Sequence, residues 1–227
     1  MFMKLLKRIP IRYKGELHDV RLINFSVALE EVKDKVPSNI KVRDFNGRAM
    51  ISMVDVKLKN MHPVFVPSLF HFNYRHVAFR LLIEDGIYNE GVNKGIFFYK
   101  SFTDKRHIVA GGRLLTDYNL EAGRIEENHN NEVTISQGKY HVKYRIGDTV
   151  KPSNEDLHNT IGTLDRAYSV LDNTIRVTQI QREKWPIQSV ACSGFENTFF
   201  KTAKLEGAFR VFETIYYEWL PPKAIEL

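Results

Sequence analysis

The chain has very little cysteine, and what it has cannot form an internal cross-link. Cys192 is the single cysteine among 227 residues, so a disulfide within the chain is excluded. Disulfide-stabilised proteins belong to oxidising compartments, and the composition therefore favours a reducing compartment, the cytoplasm. A chain of this length buries roughly 70% of the surface that its unfolded form exposes, which is enough for a core without covalent staples.

Long apolar runs are also missing. A membrane-spanning helix needs about 20 consecutive apolar residues, and no stretch of the sequence reaches that length. Because Lys4, Lys7 and Arg8 interrupt the apolar N-terminal residues, we expect no secretory signal. No Pro-, Ser- or Gly-rich linker and no low-complexity run divides the chain. We therefore expect one soluble, cytoplasmic domain over residues 1–227, with no membrane partner.

Basic residues moderately outnumber acidic ones and give a net charge of +6, which raises the question of a nucleic-acid partner. In the clearest basic row, Lys139, His141, Lys143 and Arg145 alternate with Tyr, Val, Tyr and Ile. This alternation is typical of a half-buried strand whose polar face meets solvent. No nucleic-acid-binding signature accompanies the row, so we expect no nucleic-acid partner.

Strand-like segments dominate the rest of the sequence. Residues 72–83 and 95–102 are rich in β-branched and aromatic side chains, and Asn46-Gly47 predicts a hairpin turn before a long strand. Only residues 24–36 and 153–171 carry patterns that predict short helices. Many strands without a repeating βαβ pattern favour a mostly β, α+β domain built round a barrel-like antiparallel or mixed sheet.

Alternation along residues 72–83 divides the side chains between two faces. Asn73 and Arg75 share one face with four apolar residues. The other face carries Phe72, Tyr74, His76, Ala78, Arg80 and Leu82. An arginine on an apolar face needs a partner or a ligand, so we interpret Asn73 and Arg75 as the polar mouth or floor of a cavity. The alternative is an ion pair of Arg75 with Glu84 or Asp85.

Lys100 lies in the second strand, where alternation places Phe98 and Phe102 on the same side. Burial between these rings would lower the pKa of the lysine and could make it a nucleophilic amine. The commoner case is a surface lysine whose stem covers aromatic rings. Lys100 is nevertheless the residue on which the hypothesis of a lysine-dependent enzyme rests.

A series of short motifs follows in a fixed order between about residues 26 and 225. These are VPSNIKV, FNGRAMISMVDVKL, FNYR, GIFFYKS, LLTDYN, SVLD and KWPIQ. Their order resembles that of the YqjF-like proteins, a bacterial family of unknown function in the acetoacetate-decarboxylase-like superfamily. Asn73 and Arg75 match the family's Asn-x-Arg pair, and Tyr118-Asn119 matches its aromatic-Asn pair. The resemblance implies a β-barrel or cone-like sheet around a small-molecule cavity, flanked by a few helices.

The decarboxylase branch of that superfamily is similar to this chain at one turn but differs at its lysines. That branch carries an Ala-Gly-Gly-Arg-Glu turn and then an aromatic-Pro-Lys-Lys element, in which one lysine forms a Schiff base with a β-keto acid. Residues 110–113 match the turn, but Leu114 replaces its Glu, and Leu120-Glu121 replace the lysine pair. Without an amine there, no imine can accept electrons, so the resemblance implies that decarboxylase activity is absent.

Together these observations favour a small-molecule-binding barrel for an anionic, partly apolar metabolite. Arg75 and Arg113 could clamp a carboxylate, with Phe-rich walls around the apolar part; the alternative for Arg113 is an ion pair with Asp117. The candidate ligand-binding residues are Asn73, Arg75, Lys100, Arg113 and Tyr118.

Two other function classes stay open at this point. One is a lysine-dependent enzyme that acts on keto-acid-like substrates through Lys100. The other is an interaction protein whose barrel is filled by its own side chains, since 12% of the residues are aromatic. We expect no cofactor and no metal, because His71 and His76 face opposite ways on a strand. A homo-oligomer is compatible with the sequence.

Overall fold

The computed structural model describes residues 9–67, 69–116, 120–183 and 185–225, without the side chains of residues 113–115. Within these ranges the strands form one 14-stranded sheet. The strands are β1 Tyr13–Ala28, β2 Arg48–Pro63, β3 Phe72–Leu82, β4 Gly95–Thr103, β5 Leu120–Ala122, β6 Arg124–Glu127, β7 Glu132–Gln137, β8 Tyr140–Thr149, β9 Arg166–Leu171, β10 Thr174–Arg182, β11 Gln188–Asn197, β12 Lys204–Val211, β13 Ile215–Trp219 and β14 Lys223–Ala224. The α-helices are α1 Arg106–Leu115 and α2 Glu155–Thr163.

Seven of these strands close into a barrel. Their order is β13-β10-β9-β4-β3-β2-β1, and β1 closes the ring by pairing with β13. Neighbouring strands are antiparallel except β4 and β9, which run parallel. The mostly β barrel that the sequence predicts is therefore confirmed.

The sheet continues beyond the barrel as an outer layer, because β1 has two successive partners on one edge. Its first half, from Tyr13 to Leu17, pairs with β13. Its second half, from Val20 to Ser26, pairs with β12, and the order then runs β12-β11-β8-β7-β6. Asp19 stands at the change of partner with a φ of 49°, in the left-handed region that Asp adopts more readily than most residues.

Both faces of the barrel wall are buried. On β3, Phe79 packs outwards into a core shared with the outer layer, whereas Ala78 and Leu82 pack into the barrel interior. The ring centroid of Phe79 lies 6.1 Å from that of Phe25 and 5.8 Å from that of Phe102, both edge-on. The prediction that Phe-rich walls line the cavity is wrong for these three rings, which fill the core outside the barrel.

A buried ion network ties the outer layer to the barrel wall. Arg75 of β3 donates to Asp55 of β2, with Nε–Oδ1 at 2.7 Å and Nη2–Oδ2 at 2.5 Å. The Tyr144 hydroxyl of β8 donates to the same carboxylate at 2.5 Å. Glu127 of β6 accepts from Arg75 at 3.2 Å and from Arg21 at 2.8 Å. Every charge in this cluster therefore has an opposite charge beside it.

The two predicted helices differ from the structure. Residues 24–36 form the end of β1 and two 3-10 turns at Leu29–Glu31 and Lys33–Lys35, because pairing with β2 and β12 outweighs a helical composition. The second helix is shorter than predicted and begins after Asn154, whose side chain accepts the N–H of Leu157 at 2.9 Å. Within the described ranges, no helix is long and apolar enough to cross a membrane.

The predicted hairpin turn is confirmed. Asn46 and Gly47 have φ angles of 56° and 78°, as a turn with left-handed central residues requires. The predicted strands at residues 72–83 and 95–102 are also present, as β3 and β4. Sequence patterns therefore locate the strands that form the centre of the wall.

Replacing Asp55 with asparagine should lower the free energy of unfolding by about 3–5 kcal/mol, because Arg75 would lose the buried carboxylate that binds two of its nitrogens and keep only the longer contact with Glu127. Urea unfolding followed by circular dichroism measures this loss. The control is Glu126→Gln, which breaks an exposed pair with Arg124 and should change the same quantity by less than about 1 kcal/mol. Equal effects for the two variants would contradict the structural role of the network.

Candidate ligand-binding site

The barrel interior holds a cavity of about 220 Å³ beneath helix α1. The helix contributes Ile108, Gly111 and Gly112 to its lining, and β3 contributes Tyr74 and His76. The Ala-Gly-Gly-Arg segment, predicted as a turn, thus lies within α1 and covers the cavity. A Cβ atom on Gly112 would lie 2.9 Å from a methyl group of Leu120, so the glycine allows the helix to approach the barrel closely.

The cavity lining is mostly apolar and carries no charged carboxylate, lysine or arginine among the described residues. Two of the polar groups are already engaged. The Thr116 hydroxyl donates to the Gly112 carbonyl at 2.7 Å, and the Tyr217 hydroxyl lies 2.9 Å from the Met61 sulfur. Such a lining suits an apolar molecule that makes few directional contacts.

His76 is one of the polar residues that line this cavity. Burial lowers the pKa of its imidazole to about 4; the charge of Asp55 opposes this shift and the charge of Arg80 adds to it. The ring is therefore neutral at pH 7, with one nitrogen that donates and one that accepts. No described residue forms a hydrogen bond with it, and its ring contact is with Tyr74, at 6.3 Å between centroids.

A smaller recess of about 70 Å³ continues from the cavity along the barrel interior. His76 lines both spaces, and the recess reaches Arg80 of β3 and Arg182 of β10. Arg80 donates from Nε to the Ser52 carbonyl at 3.1 Å and from Nη2 to the Ser52 hydroxyl at 2.7 Å. Burial, with a contribution from Arg182, lowers the pKa of Arg80 to about 9.

Arg182 is the second guanidinium of the recess. It lies 4.5 Å from the ring centroid of Trp185 and donates to the Gly162 carbonyl at 3.3 Å. Its Nε is buried without a hydrogen-bond partner among the described residues, and burial lowers its pKa. Asp165 acts on Arg182 electrostatically and raises its pKa, while its carboxylate accepts a hydrogen bond from Arg166 Nε at 2.8 Å.

The residues that the sequence assigned to the site lie mainly on the other side of the wall. Arg75 faces the outer layer, where Asp55 and Glu127 bind it. Asn73 is exposed, and its side-chain oxygen accepts the N–H of Asn60 at 2.9 Å. The interpretation that this face lines the cavity is therefore wrong, because the opposite face of β3 does so.

The alternative partners proposed for Arg75 are also wrong. Glu84 pairs with Lys41 at 2.7 Å. Asp85 is fully buried and accepts the backbone N–H groups of Lys94 and Gly95 at 2.8 and 3.0 Å. Both acids therefore stabilise the loop region between β3 and β4, and Arg75 is paired with other carboxylates.

A bulge in β4 changes the predicted surroundings of Lys100. The bulge lies opposite Arg80, and it places Phe98 beside Arg80 on the inner face. Lys100 and Phe102 then lie on the outer face, where the Lys100 ammonium is 5.9 Å from the Phe199 ring centroid. The prediction that two phenylalanines flank Lys100 is wrong, and this lysine lies outside the cavity lining.

The remaining predicted positions divide into two groups. The Arg113 side chain, Tyr118 and the neighbouring Asp117 and Asn119 lie outside the described residues. Leu120, at the position where the resemblance would place a lysine, lines the cavity with an apolar side chain. Within the described ranges, no three His, Cys, Asp or Glu side chains are close enough to hold a metal ion.

Sequence reasoning missed His76, Arg80 and Arg182 as site residues. A usable signal existed, since alternation already placed His76 and Arg80 together on one face of β3. Arg182 ends β10, on the same face as Thr178, which lines the cavity. No sequence pattern shows that β3 and β10 face each other across a closed barrel.

Solved structures with this fold include two enzymes. An acetoacetate decarboxylase from Legionella pneumophila gives a TM-score of 0.65 at 12% identity, with 96% of this chain and 87% of that chain covered. The enduracididine biosynthesis enzyme MppR complexed with pyruvate gives 0.59 at 12% identity, with 96% and 90% covered. At such identity the likeness establishes an acetoacetate-decarboxylase-like fold and nothing further.

Sequence comparison points to a family that has no described activity. The model of DUF2071, described as an uncharacterized conserved protein, matches residues 14–218. No curated protein matches the chain significantly.

The His76 imidazole should titrate near pH 4 in the folded protein, as measured by its ring NMR signals. An unfolded histidine titrates near 6.5, so between these values the unfolded chain binds more protons and stability falls as pH falls. Relative to His76→Gln, the wild type should lose up to about 1.4 kcal/mol per pH unit in this window. An imidazole that titrates near 6.5 would contradict its enclosure.

Proposed function

The chain belongs to the DUF2071 family and has an acetoacetate-decarboxylase-like fold; on this premise, we propose that it binds a small, partly apolar organic anion inside the barrel. The observation that carries the proposal is the apolar cavity of about 220 Å³ beneath α1. Binding sites for small molecules are concave, mostly apolar and equipped with a few oriented polar groups, and His76 is such a group.

The cavity argues against a barrel that its own side chains fill. Protein interiors are close-packed, with few voids larger than a water molecule. The aromatic side chains that could have filled this space, including Phe25, Phe79 and Phe102, pack outside the barrel instead. Aromatic side chains that do face the interior, such as Tyr74 and Trp219, line the cavity without closing it.

Four observations support an anionic ligand. The chain carries a net charge of +6, and the described lining includes no acidic residue that would repel an anion. The adjoining recess contains Arg80 and Arg182. Among the structural relatives, MppR is complexed with pyruvate, which is itself a small organic anion.

The described lining supports ligand binding without formation of an imine. Schiff-base catalysis needs an amine beside the bound carbonyl group. No described residue of the lining is a lysine, and Leu120 supplies an apolar side chain. Lys100 lies on the outer face of the wall, against Phe199.

Thr178→Phe should weaken the binding of octanoate by at least tenfold, because the buried Thr178 lines the cavity and the larger ring would occupy it. Isothermal titration calorimetry measures the affinity. The matched control is Gln179→Phe, the same substitution one residue along, on the exposed face of β10. Unchanged octanoate affinity in a folded Thr178→Phe protein would refute binding inside the barrel.

Borohydride treatment in the presence of pyruvate or acetoacetate should leave the mass of the protein unchanged, because no lysine is described in the cavity lining. Denaturing mass spectrometry measures this. A covalent adduct that disappears in Lys100→Ala would instead support a lysine-dependent enzyme.

A further inference from the structure

We propose that the recess between Arg80 and Arg182 is a carboxylate-binding subsite. The ligand's carboxylate lies between the two guanidinium groups, and its apolar part extends past His76 into the cavity beneath α1. This inference rests on the proposed function. It specifies which end of the ligand lies in the recess and which side chains bind that end.

The charges of the recess are the first reason. Arg80 is 9% exposed and lies close enough to Arg182 for the two charges to act on each other. A buried charge is costly unless an opposite charge accompanies it. Neither guanidinium forms an ion pair with a described carboxylate, although Asp165 acts on Arg182 electrostatically. An arriving carboxylate would therefore supply the direct ion pair that the described residues do not.

The arginines of the outer face provide an internal comparison. Arg75 binds both oxygens of Asp55, and Arg21 binds Asp19 and Glu127 at 2.8 Å each. At both of these arginines the outer face supplies carboxylates. The described part of the recess supplies a serine and a backbone carbonyl instead, which favours a role in binding.

The unused donors are the second reason. A guanidinium has five N–H donors, and Arg80 uses its Nε and Nη2 on Ser52. Its Nη1 has no described hydrogen-bond partner, and the Nε of Arg182 is buried without one. Guanidinium forks match the two oxygens of a carboxylate, so this pair offers donors of the right geometry to one anionic group.

The position of the recess is the third reason. Its volume of about 70 Å³ suits a head group, whereas the cavity of about 220 Å³ suits the rest of a molecule. Thr178 lines the cavity and Arg182, four residues along β10, lines the recess. At a strand rise of about 3.3 Å per residue, these positions are roughly 13 Å apart. The subsite therefore selects a carboxylate that carries an elongated apolar chain or ring.

The test compares octanoate with octanamide, its uncharged counterpart, by isothermal titration calorimetry. The wild type should prefer octanoate by at least tenfold. Arg80→Met and Arg182→Met should each remove most of this preference and leave octanamide affinity unchanged within twofold. The control is Arg145→Met, at an arginine on β8 whose side chain is half exposed and far from the recess in the sheet order.

Thermal unfolding of the apoproteins separates binding from a structural role. Both methionine variants should keep or raise the melting temperature, because an apolar side chain replaces a buried charge that lacks a carboxylate. If the arginines have a structural role instead, the variants should have a lower melting temperature and should lose equal affinity for octanoate and octanamide. If a methionine variant does not fold, Arg182→Lys, which keeps the charge but loses the fork, should retain only part of the preference.

The outcomes distinguish this inference from the function on which it rests. If octanoate and octanamide bind the wild type equally and Thr178→Phe weakens both, the barrel binds ligands but the subsite is refuted. The subsite is equally refuted if the octanoate preference survives in both methionine variants. If neither probe binds, the proposed function fails as well.

Discussion

The change of partner along β1 is the constraint on which the remaining structure depends. One strand must close the barrel against β13 and then leave that partner to begin the outer layer with β12. Asp19 makes the change possible, since its backbone adopts a positive φ. Its carboxylate accepts from Arg21, Lys57 and Arg210 at 2.8 to 2.9 Å. Burial alone would raise the pKa of Asp19, but Lys57 and Arg21 hold it well below its ordinary value.

Because of this change of partner, both faces of the barrel wall are buried, and the two faces have different roles. The outer face is packed with aromatic rings and with a satisfied ion network at Asp55 and Arg75. The inner face encloses the cavity and carries His76 and Arg80, whose polar groups are only partly satisfied by described residues. The structural charges are therefore separated from the charges of the candidate site by the thickness of one strand.

Local patterns were sufficient to find the mostly β class and the central strands but insufficient to show which face of those strands lines the cavity. Alternation divided β3 correctly into two sets of side chains. Because both sets are buried, apolarity could not show which set faces the cavity. The presence of Arg75 favoured the outer set, since an arginine on an apolar face needs a partner or a ligand. The bulge beside Phe98 shifted Lys100 to the outer face, and a bulge of this kind has no reliable sequence signal.

The remaining wrong or missing predictions concern features that depend on pairing between strands distant in sequence. Residues 24–36 have the composition of a helix, yet their first part forms ladders with two strands that are distant in sequence. Arg182 meets Arg80 only because the sheet closes on itself, and β10 and β3 are separated by two strands in the barrel order. A local pattern shows neither event, whereas the resemblance to the superfamily did imply the closed sheet.

The two-sided wall also determines how this protein can change over evolution or in the laboratory. On β3 and β10, every second side chain faces the interior, and its neighbours face the outer layer or solvent. A combinatorial library restricted to the interior positions, such as His76, Arg80, Thr178 and Arg182, would vary recognition while leaving the packing that holds the scaffold. New specificities are therefore accessible by exchanging alternate residues of strands whose pairing stays the same.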